Sequence, residues 1–403
     1  MITTEQLREE ALAMRSQLVA TRRDLHQHPE LAFQEERTAS IVAQRLGELG
    51  YAVRTGVGQT GVVGLMEGKA AHPGCRVLLL RFDMDALPIH EQLDLPFRSV
   101  YEGRMHACGH DAHTAIGLGV AELLARHRDE WRGVVKFVFQ PAEEIVSGAL
   151  AMIEDGVLED PRPDHTLALH MWAEEETGTI GVTDGPALAA SGAYRIVVRG
   201  RGSHGASPHL GRDPIVAAAH VITALQTIVA RNLNPLEQGV VTVGSVHSGT
   251  APNIIPDSAE LQGTIRAFSD DVMGLLRSRV QSVAAGVAGA LGCEAHVSFS
   301  EKSTPATVND PTIAALMRRV AAELVGAARV RSDYRTMGAE DCAFFLRAAP
   351  GAYVFVGAGN RDKGITEPHH SPRFQIDEDA LPLGVALMTA GALRILNDEC
   401  QNH

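Results

Sequence analysis

Residues 105–114 read MHACGHDAHT, which places three histidines, a cysteine and an aspartate within ten positions. Other stretches bring residues of the same kind. Asp83 and Asp85 close VLLLRFDMD, Glu143 and Glu144 close VKFVFQPAEE, His170 stands in TLALHMW, and His369 and His370 stand in EPHHSP beyond YVFVGAGN. Thiolate, imidazole and carboxylate together suit zinc or a similar transition ion, not calcium or magnesium. Two such ions about 3.5–4 Å apart can share a water and activate it as hydroxide. One of the adjacent glutamates must then serve as general base, because a metal-bound carboxylate is poorly free to carry protons. Taken singly, PAEE reads equally well as a capped helix start, and His106 or His113 as a structural histidine. Their convergence is what argues for a site.

The elements that must position these residues follow from periodicity. The first thirty residues read as helix, capped by Thr3 or Thr4, and ERTASIVAQRLGELG as a second. Strands AVRTGV, GVVGLMEG and CRVLLLRFD follow, then helix AIGLGVAELLARH, strand GVVKFVFQ, helix GALAMIEDGVL and strand HTLALHMW. His170 is expected where that last strand gives way to loop. Strands alternating with helices imply an α/β fold with a largely parallel sheet. In such sheets, sites form beyond the carboxyl ends of strands, where the ligand-type residues fall.

Near residue 187 the pattern changes to β-α-β-β-α-β, running from AYRIVVRG to EAHVSFS. That order is the split βαβ, ferredoxin-like α+β arrangement. After residue 302 the α/β style resumes with PTIAALMRRVAAELV, AYVFVGAG and LPLGVALMTAGALRILND. The expected organisation is a catalytic metal-binding domain of residues 1–186 and 303–403, with a lid or dimerisation domain of residues 187–302 inserted.

Composition narrows the function classes. The 403 residues suit two domains, and 45% hydrophobic content is ordinary for a globular chain. No apolar run is expected to reach membrane-spanning length, and MITTEQLREE lacks a signal-peptide pattern, which points to the cytoplasm. A net charge of -13 disfavours nucleic acid. The five cysteines (Cys75, Cys108, Cys293, Cys342, Cys400) are scattered without a C-x-x-C pair, against both a disulfide framework and a zinc ribbon. Only Cys108 has ligand-type neighbours; the others are expected to be buried or inert thiols.

Along nearly its whole length the chain resembles the aminoacylase/carboxypeptidase family of dinuclear metallohydrolases, most closely its branch of hippurate and auxin–amino-acid-conjugate hydrolases. The motifs RRDLHQHPELAFQEERT, RFDMDALPI, MHACGHDAHTA, FQPAEE, LHMW, GRGSHGASPH, PNIIPD, TMGAEDCAFFL and HHSP carry the resemblance in order. It implies Cys108, His110, Glu144, His170 and His370 as ligands of two divalent ions, zinc first, with manganese, cobalt or nickel as alternatives. It implies Glu143 as the base and Asp85 as an orienter of a neighbouring ligand. Asp83 departs from the wider family, where a histidine ligand commonly stands. Which of Asp83, Cys108 and His110 meets which ion stays open. In the smaller domain the resemblance implies His204 at the scissile carbonyl, often in the partner subunit of a homodimer, and Asn253 and Arg266 at the substrate carboxylate. The implied activity is hydrolysis of N-acyl amino acids.

Alternatives are a dipeptidase or carboxypeptidase with the same machinery, and an inactive metal-binding scaffold, disfavoured because every expected position is filled. The GRGSHG of residues 200–205 formally fits a dinucleotide loop, but no helix is expected at its third glycine. No G-x-S-x-G elbow supports a serine hydrolase.

Overall fold

A computed structural model describes residues 2–69 and 75–397; Cys400 lies outside the described residues. The chain divides into two compact units. One comprises residues 1–187, 307–335 and 341–403, and the other residues 188–306 with the short segment 336–340. The second boundary thus falls a few residues later than the expected 302/303, and the chain returns once more to the inserted unit.

The first unit is built on an eight-stranded sheet. Its strands begin with β1 (Ala52–Val57), β2 (Gly61–Glu67), β3 (Val77–Asp83), β4 (Val134–Gln140) and β5 (His165–Glu176). The spatial order is β1, β2, β4, β3, β5, then Gly351–Gly359, Ile180–Gly181 and Val330–Arg331. β4, β3, β5 and Gly351–Gly359 run parallel, while β1 and β2 form an antiparallel hairpin at one side. The parallel strands are apolar runs because both faces are covered: every residue of β3 is buried.

Helices α1 (Thr4–Ala13), α2 (Arg15–Gln27), α3 (Glu36–Glu48) and α4 (His110–Arg126) belong to this unit. The single N-terminal helix expected from periodicity is two helices divided at Met14. Thr3 caps the first in a reciprocal capping box with Gln6, satisfying amides the first turn leaves unpaired. α4 starts at His110, five residues before the expected AIGLGV run, because buried polar contacts hold its first turn where propensity is weak.

The second unit has the antiparallel sheet order Gly239–Ser248, Ser258–Ala267, Ala190–Arg199, Glu294–Phe299. Helices Pro214–Thr227 and Asp270–Ala290 pack on it through Val221, Leu225, Leu276 and Val280. This is the ferredoxin-like order. GRGSHG contains the short strand Ser203–His204, and the next α-helix starts only at Pro214, so it cannot serve as a dinucleotide loop.

Among the described residues, two helices, Pro214–Asn232 and Glu378–Asn397, are long and apolar enough to cross a membrane by length and composition alone. The second is 83% buried, and a helix covered on all sides is apolar all round.

α4 approaches the sheet closely at Gly117, where an added Cβ would lie 2.7 Å from the Phe82 ring and 2.8 Å from that of Phe139. Gly117→Ala is therefore expected to destabilise the unit by about 1–3 kcal/mol through overpacking. Urea unfolding should show a lower midpoint at unchanged slope; an unchanged midpoint would refute the tight contact.

Candidate metal centre

The site begins where β3 ends. Arg81 pairs with Ala168 of β5, so Asp83 and His170 fall at one level, and Asp83 also pairs with Gln140 of β4. His170 was expected at a strand end, but β5 continues to Glu176 by pairing with Gly351–Gly359. What ends before His170 is the ladder from β3, and the imidazole itself stays buried.

Asp83 is fully engaged. Arg81 donates to Oδ2 at 2.6 Å and His113 Nδ1 lies 2.5 Å from Oδ1. His113 Nε2 accepts the Met171 amide at 2.8 Å, which leaves the proton on Nδ1 for Asp83. Burial would raise the Asp83 pKa, but Arg81, His110 and His113 outweigh it and hold the carboxyl well below its usual range. Although Asp83, His110 and His113 are close enough to hold an ion, both Asp83 oxygens already have partners.

Asp85 joins two elements. His110 Nδ1 lies 2.9 Å from its carbonyl and 3.2 Å from Oδ1, while Oδ2 accepts the Glu144 amide at 3.0 Å. These bonds turn His110 so that Nε2 faces the donor cluster. Nε2 lies 3.5 Å from Asp83 Oδ2 and 3.9 Å from Glu144 Oε1. Both His110 Nε2 and Glu144 Oε1 are buried without a hydrogen-bond partner. Burial alone would lower the His110 pKa, yet Asp83, Asp85 and Glu144 raise it to about 10. The surroundings that hold a proton there would equally attract a divalent cation.

The remaining donors complete two overlapping sets. Cys108, His110 and His170 form one, and Cys108, Glu144 and His370 the other, each with donor atoms within 4.8 Å of one another. Cys108 Sγ is 3.5 Å from His170 Nε2, and His170 Nδ1 bonds the Met171 carbonyl at 2.9 Å, directing Nε2 inward. His370 Nε2 is 3.3 Å from Glu144 Oε2, whereas His369 Nε2 bonds the Met171 carbonyl at 3.0 Å. The backbone thus occupies His369 and turns His370, at φ 65°, toward Glu144. His110, Glu143 and Glu144 also lie within this reach of one another, so the two glutamates sit side by side. Soft thiolate with imidazole and carboxylate is a donor chemistry that fits zinc-like ions.

In the inserted unit, His204 and Asn253 come together: Ile254 pairs with His204, and the Gly205 amide donates to the Asn253 carbonyl at 2.8 Å. Ala206 donates to His204 Nδ1 at 3.0 Å, which leaves the proton of the neutral ring on Nε2. Arg266 is half-buried on Ser258–Ala267 and donates to Ser191 Oγ at 2.6 Å.

Several supporting residues escaped the sequence reading. Arg22 and His26 both contact Asp111 Oδ2 at 2.8 Å, beside His110. Asp341 accepts from Gln140 at 2.6 Å and from Arg81 at 3.2 Å, and its other oxygen accepts the Ala149 amide at 3.0 Å. The signal available was the polar density of the motifs RRDLHQHPELAFQEERT and TMGAEDCAFFL, which carried no assigned role.

The sequence profile of peptidase family M20/M25/M40 matches residues 79–394. Thermostable carboxypeptidase 1 of Saccharolobus solfataricus is 37% identical over 98% of this chain and 99% of its own. N-acetyl-L-cysteine deacetylase of Bacillus subtilis is 37% identical over 95% of this chain and 89% of its own. The crystal structure of a Bacillus subtilis protein titled a dinuclear metal binding peptidase from the M20 family superposes with a TM-score of 0.83. It shares 35% identity and covers 95% of this chain and 99% of that one.

The Asp111 contacts give a pH dependence. Burial would lower the His26 pKa, but hydrogen bonds to Asp111 and Glu91 raise it above its ordinary 6.5. The stabilisation is therefore fully present below pH 6.5 and lost as pH rises through the higher folded value. The stability gap between wild type and His26→Gln is expected to shrink as pH rises above 6.5 in urea titrations. A gap that widens would contradict the pairing.

Proposed function

The chain belongs to peptidase family M20/M25/M40 and is a hydrolytic enzyme acting on amide bonds, and on that premise we propose that it cleaves N-acyl amino acids, hippurate- or N-acetyl-amino-acid-like, to a carboxylate and a free amino acid. The observation that carries the reading is the pair of orphaned buried atoms, His110 Nε2 and Glu144 Oε1, set beside a second glutamate, Glu143. Cys108, His110, Glu144, His170 and His370 would hold two divalent ions, zinc before manganese, cobalt or nickel. When bound, such ions lower the pKa of water and polarise a carbonyl.

The chain's own groups carry the rest. Glu143 takes the proton from the attacking water and returns it to the departing nitrogen. Asp85 keeps His110 oriented and anchors the Glu144 amide. His204 offers its Nε2 proton to the carbonyl oxygen as negative charge develops there. Asn253 and Arg266 take the substrate carboxylate, the arginine through its fork of donors. Likeness to the Bacillus subtilis N-acetyl-L-cysteine deacetylase supports the acyl substrate. A carboxypeptidase reading, with the same machinery acting on peptides, draws on the likeness to the Saccharolobus carboxypeptidase. We place the enzyme in the cytoplasm, without nucleic-acid or membrane partners.

We also propose a homodimer joined through the inserted unit, supported by its edge strand Gly239–Ser248 and the exposed Ile215, Val216 and Val246. Sedimentation velocity is expected to give the mass of two chains; a monomer at micromolar concentration would exclude this assembly.

Activity is tested by amino-acid release from N-acetylmethionine, hippurate and dipeptides, using metal-reconstituted protein. Glu143→Gln should lower kcat by roughly 100- to 10,000-fold while bound metal is unchanged. Turnover of dipeptides alone would select the peptidase reading. No turnover by the fully metallated wild type would reject both.

A further inference from the structure

The motif RRDLHQHPELAFQEERT holds buried polar groups that the reaction above does not use. They reach the flanks of three site residues. Arg22 and His26 hold Asp111, next to His110. The Glu30 carbonyl accepts the Ala86 amide at 2.8 Å, next to Asp85. Glu35 Oε1 accepts the Ala142 amide at 2.9 Å, next to Glu143.

Glu35 has no evident purpose within its own helix. It occupies the N-cap position of α3, yet its side chain makes no capping bond there. Glu30 instead accepts the Arg37 and Thr38 amides, at 2.9 and 2.8 Å. Glu35 is 0% exposed, and besides Ala142 it accepts the Phe33 amide at 3.0 Å and the Thr60 hydroxyl at 2.5 Å.

Its target is a strained turn. Ala142 has φ 51°, a left-handed conformation that alanine rarely adopts, and such strain persists only where surrounding contacts impose it. On the far side, the Ala142 carbonyl accepts the Gly148 and Ser147 amides at 3.1 and 3.3 Å. Gly148 has to be glycine, since a Cβ would lie 1.6 Å from the Pro141 oxygen. Glu144 is held separately through its amide by Asp85. Glu143 therefore stands between two carboxylate anchors, Glu35 before it and Asp85 after it.

We propose that Glu35 is a positioning residue for the general base: by gripping the Ala142 amide it sets the turn from Pro141 to Glu143, and so the direction in which the Glu143 carboxylate is presented to water. This rests on the reading of Glu143 as the base. Burial, joined by the Asp85 charge and opposed by the Thr60 hydrogen bond, lifts Glu35 to about 7, so glutamine is a fair neutral substitute.

The test uses the full, metal-reconstituted enzyme on a substrate the wild type turns over. Glu35→Gln keeps an acceptor at the same reach, Glu35→Asp keeps the acid but falls one methylene short, and Glu35→Ala keeps neither. For Asp and Ala, kcat is expected to fall roughly 10- to 100-fold with KM within about twofold and metal content unchanged. Glu35→Gln should stay within about threefold of wild type in kcat. Thr60→Val removes only the hydroxyl partner and should lower the thermal midpoint without lowering kcat. If Glu35→Ala does not fold, the Asp and Gln variants decide. Wild-type kcat in Glu35→Asp, or an equal loss in Glu35→Gln, overturns the proposal. Where Glu143→Gln is inactive and Glu35→Asp is not, only the Glu35 assignment falls; where Glu143→Gln retains turnover, both fall.

Discussion

Carboxylates buried beside the carboxyl ends of the central strands have to be compensated, and the architecture of the metal centre follows from that demand. A buried charge is costly unless paired and hydrogen-bonded. Asp83 is met by Arg81 and His113, and Asp111 by Arg22 and His26. Asp341 is met by Gln140, Arg81 and the Ala149 amide. Apart from Arg81 with Asp83, neighbours on β3, these compensations join elements distant in sequence, so charge balance and site geometry are one arrangement. Of the buried atoms left without a hydrogen bond, His110 Nε2 and Glu144 Oε1 face each other within the same cluster.

The scaffold adds precision in layers. Register between β3, β4 and β5 sets Asp83, Gln140 and His170 at a common level. The first turn of α4 brings His110 and His113 to that level three residues apart. Backbone groups then select among similar side chains: the Met171 carbonyl engages His369, and His370 is turned to Glu144. A site whose supporting bonds come from rigid elements holds its donors more closely than one built on loops.

In the proposed reading, chemistry and recognition fall to different units. The ligand-type residues belong to the unit of the eight-stranded sheet, and His204, Asn253 and Arg266 to the inserted one. Relatives of comparable identity carry names as different as carboxypeptidase and deacetylase. Such variety is expected where hydrolytic machinery is retained and the surfaces that recognise the acyl group vary.

The sequence alone determined the element types, the inserted ferredoxin-like order and the ligand-type residues, since periodicity and donor chemistry are local properties written in residue type and spacing. It placed Asp83, Glu143 and Glu144 at strand ends because the apolar runs stop there. It could not place the end of β5, the start of α4 or the division at Met14, where pairing partners and buried contacts outweigh propensity. Nor could it separate His369 from His370 except by resemblance, or assign Arg22, His26, Glu35 and Asp341. Those roles depend on hydrogen bonds between residues tens to hundreds of positions apart, and only the tertiary structure brings such partners within reach.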